Sequence, residues 1–278
     1  MKVVLTGASG FIGARLYKFL IEQCTADQIT GDSRSRKSVS EHVVINSYRD
    51  CPAGDLLIHL AENSHIAEVE KTGEKYLTEQ IEIAQSLAGK FPKVIYLSST
   101  TLYGNAIQGA LTEDAEIQQS SIYQRNKRAI EKVFCSNSEA VVLRLSNLYG
   151  ENLKRGTVLY DIAKQLDSEI IQLRVLNAKR DFLHVDDLCQ LIVKVIQSFE
   201  PGIFNVGFGQ SHSTEELANI FIRLSGISKE IKGEKDEANS EIVIDNTLVS
   251  DTFSWYPQID IESGIREIFG KSSKLPKL

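Results

Sequence analysis

Three glycines at intervals of three residues constrain the fold of this chain more than any other feature of its sequence. Gly7, Gly10 and Gly13 follow the apolar run 3–5 and precede a segment whose apolar side chains recur with helical spacing. A strand, a glycine turn and a helix in this order place free backbone N–H groups at a helix N-terminus, where they suit a pyrophosphate. An ordinary glycine turn is the alternative, but the position between a strand and a helix favours a dinucleotide site.

Short apolar runs alternate with helical patterns along the rest of the chain. The predicted helices include 66–88 and 123–135, and the predicted strands cover 3–6, 28–30, 42–45, 56–60, 94–98, 140–145 and 203–206. This alternation predicts an α/β fold with a Rossmann-like, doubly wound and mostly parallel sheet. Such sheets bind ligands at the carboxyl ends of their strands.

Composition argues against several classes of partner. The 31 Lys+Arg residues against 37 Asp+Glu give a net charge of −6, which favours neither nucleic acid nor an anionic membrane. No apolar run is long enough to span a bilayer, and the sequence enters a strand at once instead of a signal peptide. The 4 cysteines form no C-x-x-C pair, which predicts reduced thiols and no metal site. A cytoplasmic protein is expected.

The loop after the second predicted strand carries two opposing signals. Asp32 can accept hydrogen bonds from both hydroxyls of an adenosine ribose, which favours NAD. Arg34 and Arg36 can instead bind a 2′-phosphate, which favours NADP. A solvated charged loop would also explain these cations. We expect Asp32 to contact the ribose and leave the choice between NAD and NADP open.

A hydroxyl cluster and a Tyr-x-x-x-Lys pair provide the elements of an oxidoreductase site. Tyr123 and Lys127 are four residues apart and share one face of a helix, while Ser99 ends a predicted strand. Tyrosine has an ordinary pKa near 10, so a phenol that exchanges a proton at neutral pH needs a cation beside it. Lys127 can supply that charge, and Ser99 can orient a substrate oxygen. An exposed helix face and a capped turn are the alternatives for these residues.

A series of motifs in this order resembles the extended short-chain dehydrogenase/reductase family, the NAD-dependent epimerase/dehydratase group that acts mostly on nucleotide sugars. The resemblance runs from Met1 to at least Phe269, and its motifs are TGASGFIG, IHLA, YLSSTTLYG, YQRNK, RLSNLYG and RDFLHVDDL. It implies an NAD(P)-binding Rossmann domain over 1–150, to which segments at about 177–210 return, and a mainly substrate-binding lobe over 151–278. It also implies a homodimer formed through helices 66–88 and 123–135.

The resemblance assigns roles by position. The implied catalytic residues are Ser99, the acid–base Tyr123, and Lys127, which lowers the pKa of the tyrosine. The implied cofactor contacts are Gly7, Gly10, Phe11, Ile12, Gly13, Asp32, Ser33, Arg34, Leu60, Ala61, Tyr123 and Lys127. The implied contacts to a nucleotide-sugar substrate are Ser99, Thr100, Asn147 and Arg180. A loop cap is the alternative for Asn147, and a structural pair with Asp181 or Asp186 is the alternative for Arg180.

One departure from the family pattern narrows the reaction. Sugar-nucleotide 4,6-dehydratases of the family place Asp-Glu directly after the catalytic hydroxyl residue, whereas this chain has Thr100 and Thr101. A hydroxyl cannot replace a carboxylate in acid–base work at neutral pH, so dehydration is disfavoured. A 4-keto reductase of a nucleotide-linked 4-keto-6-deoxy sugar and a 4-epimerase both remain. The arginines after Asp32 and the compact lobe favour the reductase.

Two further classes of function are weaker alternatives. A non-catalytic NAD(P)-sensing protein would be expected to lose the tyrosine or the lysine, and both are present here. A reductase of apolar substrates is disfavoured by Asn147 and Arg180, because an unpaired arginine in an apolar pocket is costly.

Overall fold

The computed structural model describes residues 1–23, 28–33, 43–104, 109–152, 155–238 and 240–269. Its strands are β1 (Lys2–Thr6), β2 (Gln28–Ser33), β3 (Val43–Val44), β4 (Leu56–His59), β5 (Lys93–Ser99), β6 (Ala110–Leu111), β7 (Glu139–Leu145), β8 (Asn147–Tyr149), β9 (Ile170–Val175), β10 (Lys179–His184), β11 (Gly202–Val206), β12 (Ser211–Ser213), β13 (Glu230–Glu234) and β14 (Val243–Ile244). Its helices are α1 (Phe11–Gln23), α2 (Ile66–Thr72), α3 (Glu74–Ala88), α4 (Ile122–Asn137), α5 (Val158–Ala163), α6 (Val185–Gln197), α7 (Thr214–Ser225), α8 (Thr247–Phe253) and α9 (Ile261–Phe269).

Seven of these strands form one sheet in the order β11-β7-β5-β4-β1-β2-β3. Every neighbouring pair is parallel. The order reverses between β1 and β4, because the chain first builds outward through β2 and β3 and then returns to the other side of β1. Such a reversal opens a crevice at the carboxyl ends of the two strands. The α/β class and the Rossmann-like, doubly wound sheet are thereby confirmed.

The seven predicted strands are the seven strands of this sheet, with small shifts at their ends. The strand predicted over 42–45 is observed as Val43–Val44, and His42 lies outside the described residues. The helix predicted over 66–88 is two helices, α2 and α3, because Gly73 between them takes a φ of +66°. A left-handed φ is favourable only for glycine, so the residue type explains the break.

Apolar side chains cover both faces of the large sheet and form a separate cluster in the C-terminal half. Helices α1 and α6 pack on one face around Leu5 and Leu188, and α3 and α4 pack on the other around Val4 and Ile130. Helices α5, α7 and α9 enclose a further cluster around Phe221. The predicted division into a domain over 1–150 and a lobe over 151–278 stays a prediction. Among the described residues, none of the helices combines the length and apolarity that crossing a membrane requires.

Candidate active site

The glycine turn after β1 is closed so tightly that it excludes side chains. Gly7 has a φ of +74°, and its carbonyl accepts the Gly10 N–H at 2.9 Å. A Cβ on Gly13 would lie 2.1 Å from the Gly7 carbonyl oxygen, so only glycine lets α1 approach the strand this closely. The turn thus brings the N-terminus of α1 to the carboxyl end of β1, as a pyrophosphate site requires.

A hydroxyl in β1 fixes the end of β4 beside this turn. The Thr6 Oγ1 accepts the Leu60 N–H at 3.3 Å and lies 2.8 Å from His59 Nδ1. Burial lowers the pKa of His59 to about 4, so the ring is neutral at physiological pH and its Nδ1 can accept the Thr6 proton. These contacts hold Leu60, which lines the cleft described below, against the glycine turn.

The turn after β5 and the start of α4 are joined by hydrogen bonds. Ser99 Oγ accepts from the Thr101 N–H at 3.2 Å and from the Thr101 hydroxyl at 3.0 Å. The Gln124 side-chain amide donates to the Thr101 carbonyl at 2.8 Å. Ser99 therefore caps the turn, which is the alternative given for it in the sequence analysis. The Gln124 hydrogen bond joins this turn to the helix that carries Tyr123.

Tyr123 and Lys127 lie on one face of α4, and a third residue joins them. The Lys127 Nζ lies 5.8 Å from the centre of the Tyr123 ring and donates to the Leu97 carbonyl at 2.9 Å. It also forms an ion pair with Glu62, whose side chain is only 6% exposed. Burial acts to raise the pKa of Glu62, but the Lys127 charge and hydrogen bonds outweigh it, so the pKa is lowered. Burial likewise opposes the charge on Lys127, but Glu62 outweighs it and the pKa of the ammonium is raised.

A second buried ion pair, between Glu131 and Arg144, connects the helix of the site to the sheet. Glu131 on α4 accepts from the Arg144 Nε and Nη2, both at 3.0 Å, and from the Ser98 hydroxyl at 2.6 Å. Arg144 also donates to the Tyr103 hydroxyl at 2.8 Å. Burial acts to raise the pKa of Glu131, but its hydrogen bonds and the Arg144 charge outweigh it and the pKa is lowered. The network joins α4 to β5, β7 and the turn after Ser99.

These parts enclose a cleft of about 790 Å³ at the carboxyl edge of the sheet, where β1 and β4 meet. Ten of the residues predicted from the sequence line it. They are Gly7, Gly10, Phe11, Ile12, Gly13, Leu60, Ser99, Tyr123, Lys127 and Asn147. The glycine turn and the Ser-Tyr-Lys set thus face one space, which is the arrangement that hydride transfer beside a phenol requires.

Other predicted residues lie elsewhere. Thr100 is buried and its hydroxyl donates to the Leu145 carbonyl at 3.1 Å, while Thr101 lines the cleft instead. Ala61 is buried in the apolar cluster around Val4 and does not line the cleft. The side chain of Ser33 and the whole of Arg34 lie outside the described residues.

Arg180 does not line this cleft either. Its guanidinium donates to the Lys179 carbonyl at 2.7 Å and to Ser240 at 3.2 Å. The alternative of a pair with Asp181 or Asp186 is wrong. Asp186 binds Arg15, and the Asp181 carboxylate accepts the backbone N–H groups of residues 208 and 209.

Asp32 does not line this cleft, but it lies at the carboxyl end of β2, the strand beside β1. It ends the parallel pairing with β1 opposite Thr6, its side chain is fully buried, and neither carboxylate oxygen has a hydrogen-bond partner among the described residues. Burial raises the pKa of this carboxyl, while the Cys51 thiol and Lys2 oppose the effect. A buried acid with only a thiol, a weak donor, beside it fits a ribose that brings two hydroxyls. The residues present therefore fit a nicotinamide dinucleotide.

Several residues of the cleft were not predicted from the sequence. Glu62, Asn63, His65, Arg155 and Thr157 all line it. Glu62 could have been found, because it comes only three residues after the buried strand β4, and an acid there is rarely buried without a partner. His65 and Arg155 come from separate loops, and no local pattern in the sequence joins those loops.

The fold and the site together define a class: an enzyme of the short-chain dehydrogenase/reductase type, built on a dinucleotide-binding sheet. The chain belongs to the NAD dependent epimerase/dehydratase family, whose sequence profile matches residues 3–207. The resemblance stated from the motifs is thereby confirmed. The expectation of NAD or NADP as cofactor is confirmed as well, because the family is NAD dependent.

Individual relatives carry out different reactions within this family. The CDP-abequose synthase of Salmonella muenchen is 24% identical over 96% of this chain and 96% of its own length. The UDP-glucose 4-epimerase of Halalkalibacterium halodurans is 23% identical over 93% of this chain and 91% of its own length. The structure of RMD from Pseudomonas aeruginosa complexed with NADPH superposes with a TM-score of 0.81, at 22% identity over 95% of this chain and 96% of that chain. At this identity, the structural likeness shows that the two chains share a fold.

Proposed function

We propose that this protein reduces a nucleotide-linked 4-keto-6-deoxy sugar to the corresponding alcohol with NAD(P)H. The observation that carries the proposal is that the glycine turn, Ser99, Tyr123 and Lys127 line one and the same cleft. The dinucleotide, when bound, supplies the hydride that a carbonyl carbon receives. Tyr123 donates the proton that the carbonyl oxygen takes up, and Ser99 orients that oxygen through its hydroxyl.

The hydroxyl of Thr101 and the engaged carboxylate of Glu62 favour reduction over dehydration. Thr101 lies two residues after Ser99, in the turn where a dehydratase of this family carries an acid. Its side chain offers only a hydroxyl. Glu62 does bring a carboxylate to the cleft, but its oxygens are held by Lys127, Asn126 and Tyr96. A carboxylate held in this way is not available to take a proton from a sugar carbon.

The relatives support a nucleotide-linked sugar as substrate and leave two reactions to compare. A synthase named for its finished product, CDP-abequose, fits an enzyme that completes a sugar by reduction. The UDP-glucose 4-epimerase supports the alternative, in which the sugar turns within the cleft and the hydride returns to its opposite face. A cytoplasmic location and a homodimer stay predictions.

Cofactor consumption separates the two reactions. The purified protein is to be mixed with NADH or NADPH and a panel of nucleotide-linked 4-keto-6-deoxy sugars, and separately with UDP-hexoses and no added cofactor. A reductase oxidises one equivalent of NAD(P)H per equivalent of keto sugar. An epimerase interconverts UDP-hexoses without net consumption and would overturn the proposal.

Tyr123→Phe tests the role of the Tyr123 hydroxyl in either reaction. It removes only the hydroxyl, and we expect turnover to fall by about 10²- to 10⁴-fold while the fold and cofactor binding persist. Unchanged turnover in this variant would contradict the assigned role of Tyr123. The absence of turnover in both the wild type and the variant would favour the cofactor-sensing alternative.

A further inference from the structure

Glu62 places a buried carboxylate next to the Tyr123–Lys127 pair. It follows β4 by three residues and its side chain is 6% exposed. One of its oxygens accepts the Asn126 side-chain amide at 2.8 Å, and the other accepts the Tyr96 hydroxyl at 2.9 Å and the Lys127 ammonium. Burying an ionised carboxylate has a high free-energy cost, unless a cation beside it balances the charge.

Lys127 is buried to the same degree and depends on this carboxylate. Its side chain is 9% exposed, and its Nζ donates to Glu62 and to the Leu97 carbonyl. The ammonium has three protons, so one remains for a ligand hydroxyl or for Tyr123. Without a counter-ion, a lysine this deeply buried tends to lose its proton, because burial disfavours the charged form.

The other charged and titratable groups around Lys127 do not replace Glu62. The His59 ring is neutral, because burial lowers its pKa to about 4. Burial and the neighbouring Glu62 raise the pKa of Tyr96 well above its ordinary value, so this phenol stays protonated. Glu131 on α4 is engaged by Arg144 and Arg128. Within the part of the chain that the structure describes, Glu62 is therefore the carboxylate that balances the charge of Lys127.

We propose that Glu62 is a positioning residue, which keeps Lys127 protonated and holds its ammonium 5.8 Å from the centre of the Tyr123 ring and 5.1 Å from that of Tyr96. The proposal rests on the roles proposed above for Tyr123 and Lys127. Glu62 itself does not exchange a proton with the substrate. It acts through Lys127, because a neutral lysine would leave the phenol without the cation that its chemistry needs.

The direct test follows the protonation of Lys127 in the ligand-free protein. Full-length protein labelled with ¹³C at the lysine ε-carbons is titrated by NMR, and the Lys127 signal is identified by its absence in Lys127→Arg. In Glu62→Gln, which keeps the shape and loses the charge, we expect the Lys127 titration to move at least one pH unit lower than in the wild type. Tyr96→Phe, which removes one hydrogen bond to Glu62 and no charge, is the matched control and should leave the midpoint within a few tenths of a unit.

An unchanged Lys127 midpoint in Glu62→Gln would overturn the proposal, even if that variant were less stable. If Glu62→Gln does not fold, Glu62→Ala serves in its place, because it also removes the charge. It should show a shift in the same direction, and no shift would be equally decisive. The titration uses no sugar, so it stands apart from any failure of the proposed reaction.

Activity provides the second readout. In Glu62→Gln, kcat/KM should begin to fall at lower pH than in the wild type. Above the lowered midpoint of the Lys127 titration, it should fall by about tenfold for each pH unit. A merely structural role would lower activity equally across the pH range. Glu62→Asp should restore most of the wild-type profile.

Discussion

The side-chain carboxylate of Glu70 on α2 accepts the backbone N–H of Tyr123, the second residue of α4, at 2.9 Å. The same carboxylate accepts the Ile122 N–H at 3.1 Å. The Ser121 hydroxyl accepts the Gln124 N–H, and the Gln124 side chain accepts the Ser121 N–H. The four N–H groups that the first turn of this helix leaves without a helical partner are thus all bound by side chains. The position of Tyr123 is therefore fixed from outside its own helix.

Replacing Glu70 should loosen this helix start. Glu70→Ala removes the acceptor of two N–H groups, and we expect the free energy of unfolding in urea to fall by about 1 kcal/mol, as for other lost caps. Lys71→Ala, at an exposed position next along α2, is the control and should change stability little. Equal losses in the two variants would contradict the capping role.

The effect of Glu70 should also depend on pH. The hydrogen bond from Tyr123 lowers the pKa of Glu70 below its ordinary value of 4.5. A carboxyl with a depressed pKa in the folded state stabilises the protein above its unfolded pKa, and the contribution is lost as pH falls through the folded value. The difference between the wild type and Glu70→Ala, measured by urea unfolding, should accordingly disappear on acidification below 4.5. A difference that persists at strongly acid pH would exclude an ionised cap.

Gly13 and Gly89 should respond in opposite ways to the same substitution. In Gly13→Ala the new Cβ would meet the Gly7 carbonyl oxygen at 2.1 Å, and this backbone cannot move without opening the turn. We expect a loss of about 3 kcal/mol in unfolding free energy and a loss of dinucleotide binding. In Gly89→Ala the nearest atoms lie 3.8 Å away and φ is −70°, so a gain of about 0.5 kcal/mol is expected. Denaturant unfolding of the two variants, with a cofactor titration, checks both; a well-tolerated Gly13→Ala would contradict the close approach.

Arg144 should be far more important for stability than Arg128, although both bind Glu131. Arg144 is 2% exposed at its side chain and Arg128 is 27% exposed. Arg144→Met leaves a buried carboxylate without its main partner, which costs about 3–5 kcal/mol, whereas Arg128→Met should cost about 1 kcal/mol or less. Urea unfolding distinguishes the two. The double variant Arg144→Met/Glu131→Gln should lose less than Arg144→Met alone, and a greater loss would show that the charge on Glu131 is not the cause.

Asp32→Asn should make the ligand-free protein more stable and the loaded protein less so. Because burial raises the pKa of Asp32, its ionised form is disfavoured in the folded state. That cost is absent at acid pH and is present in full above the raised pKa, so we expect the variant to gain about 1 kcal/mol at neutral pH and nothing at low pH. Thermal unfolding with and without NADH or NADPH measures both effects. A variant that is stabilised by cofactor as strongly as the wild type would exclude Asp32 as a ribose contact.

The sequence was sufficient to predict the large sheet, and in the cleft it predicted the glycine turn and the Ser-Tyr-Lys set. The strands are short apolar runs buried on both faces, and this pattern is local, so it can be read directly. The glycine turn and the pairing of Tyr123 with Lys127 were also predictable, because each depends on residues within about two helical turns. The break at Gly73 was missed, since glycine inside a helical pattern is compatible with either a continuous helix or two helices.

The parts that were missed depend on contacts between distant segments. Glu62 reaches Lys127 across 65 residues and Glu70 reaches Tyr123 across 53, and neither spacing has a sequence signature. The placement of Thr100 had a local cause that was overlooked. Thr100 begins a 3₁₀ turn, Thr100–Tyr103, directly after β5, and in this turn its hydroxyl meets the Leu145 carbonyl while Ser99 and Thr101 line the cleft. The smaller sheets pair strands that are distant in the chain, such as β14 with β6 and β13 with β9, and no local pattern predicts those pairings.

The all-parallel character of the large sheet has a consequence for how the chain reaches this structure. No two neighbouring strands can be joined by a tight hairpin, so each pairing waits for a crossover segment to form. Chains with such distant pairings fold slowly, and they expose unpaired strand edges for longer than helical proteins of the same size. Recovery after dilution from denaturant should therefore fall as protein concentration rises, because aggregation competes with the slow closure of the sheet.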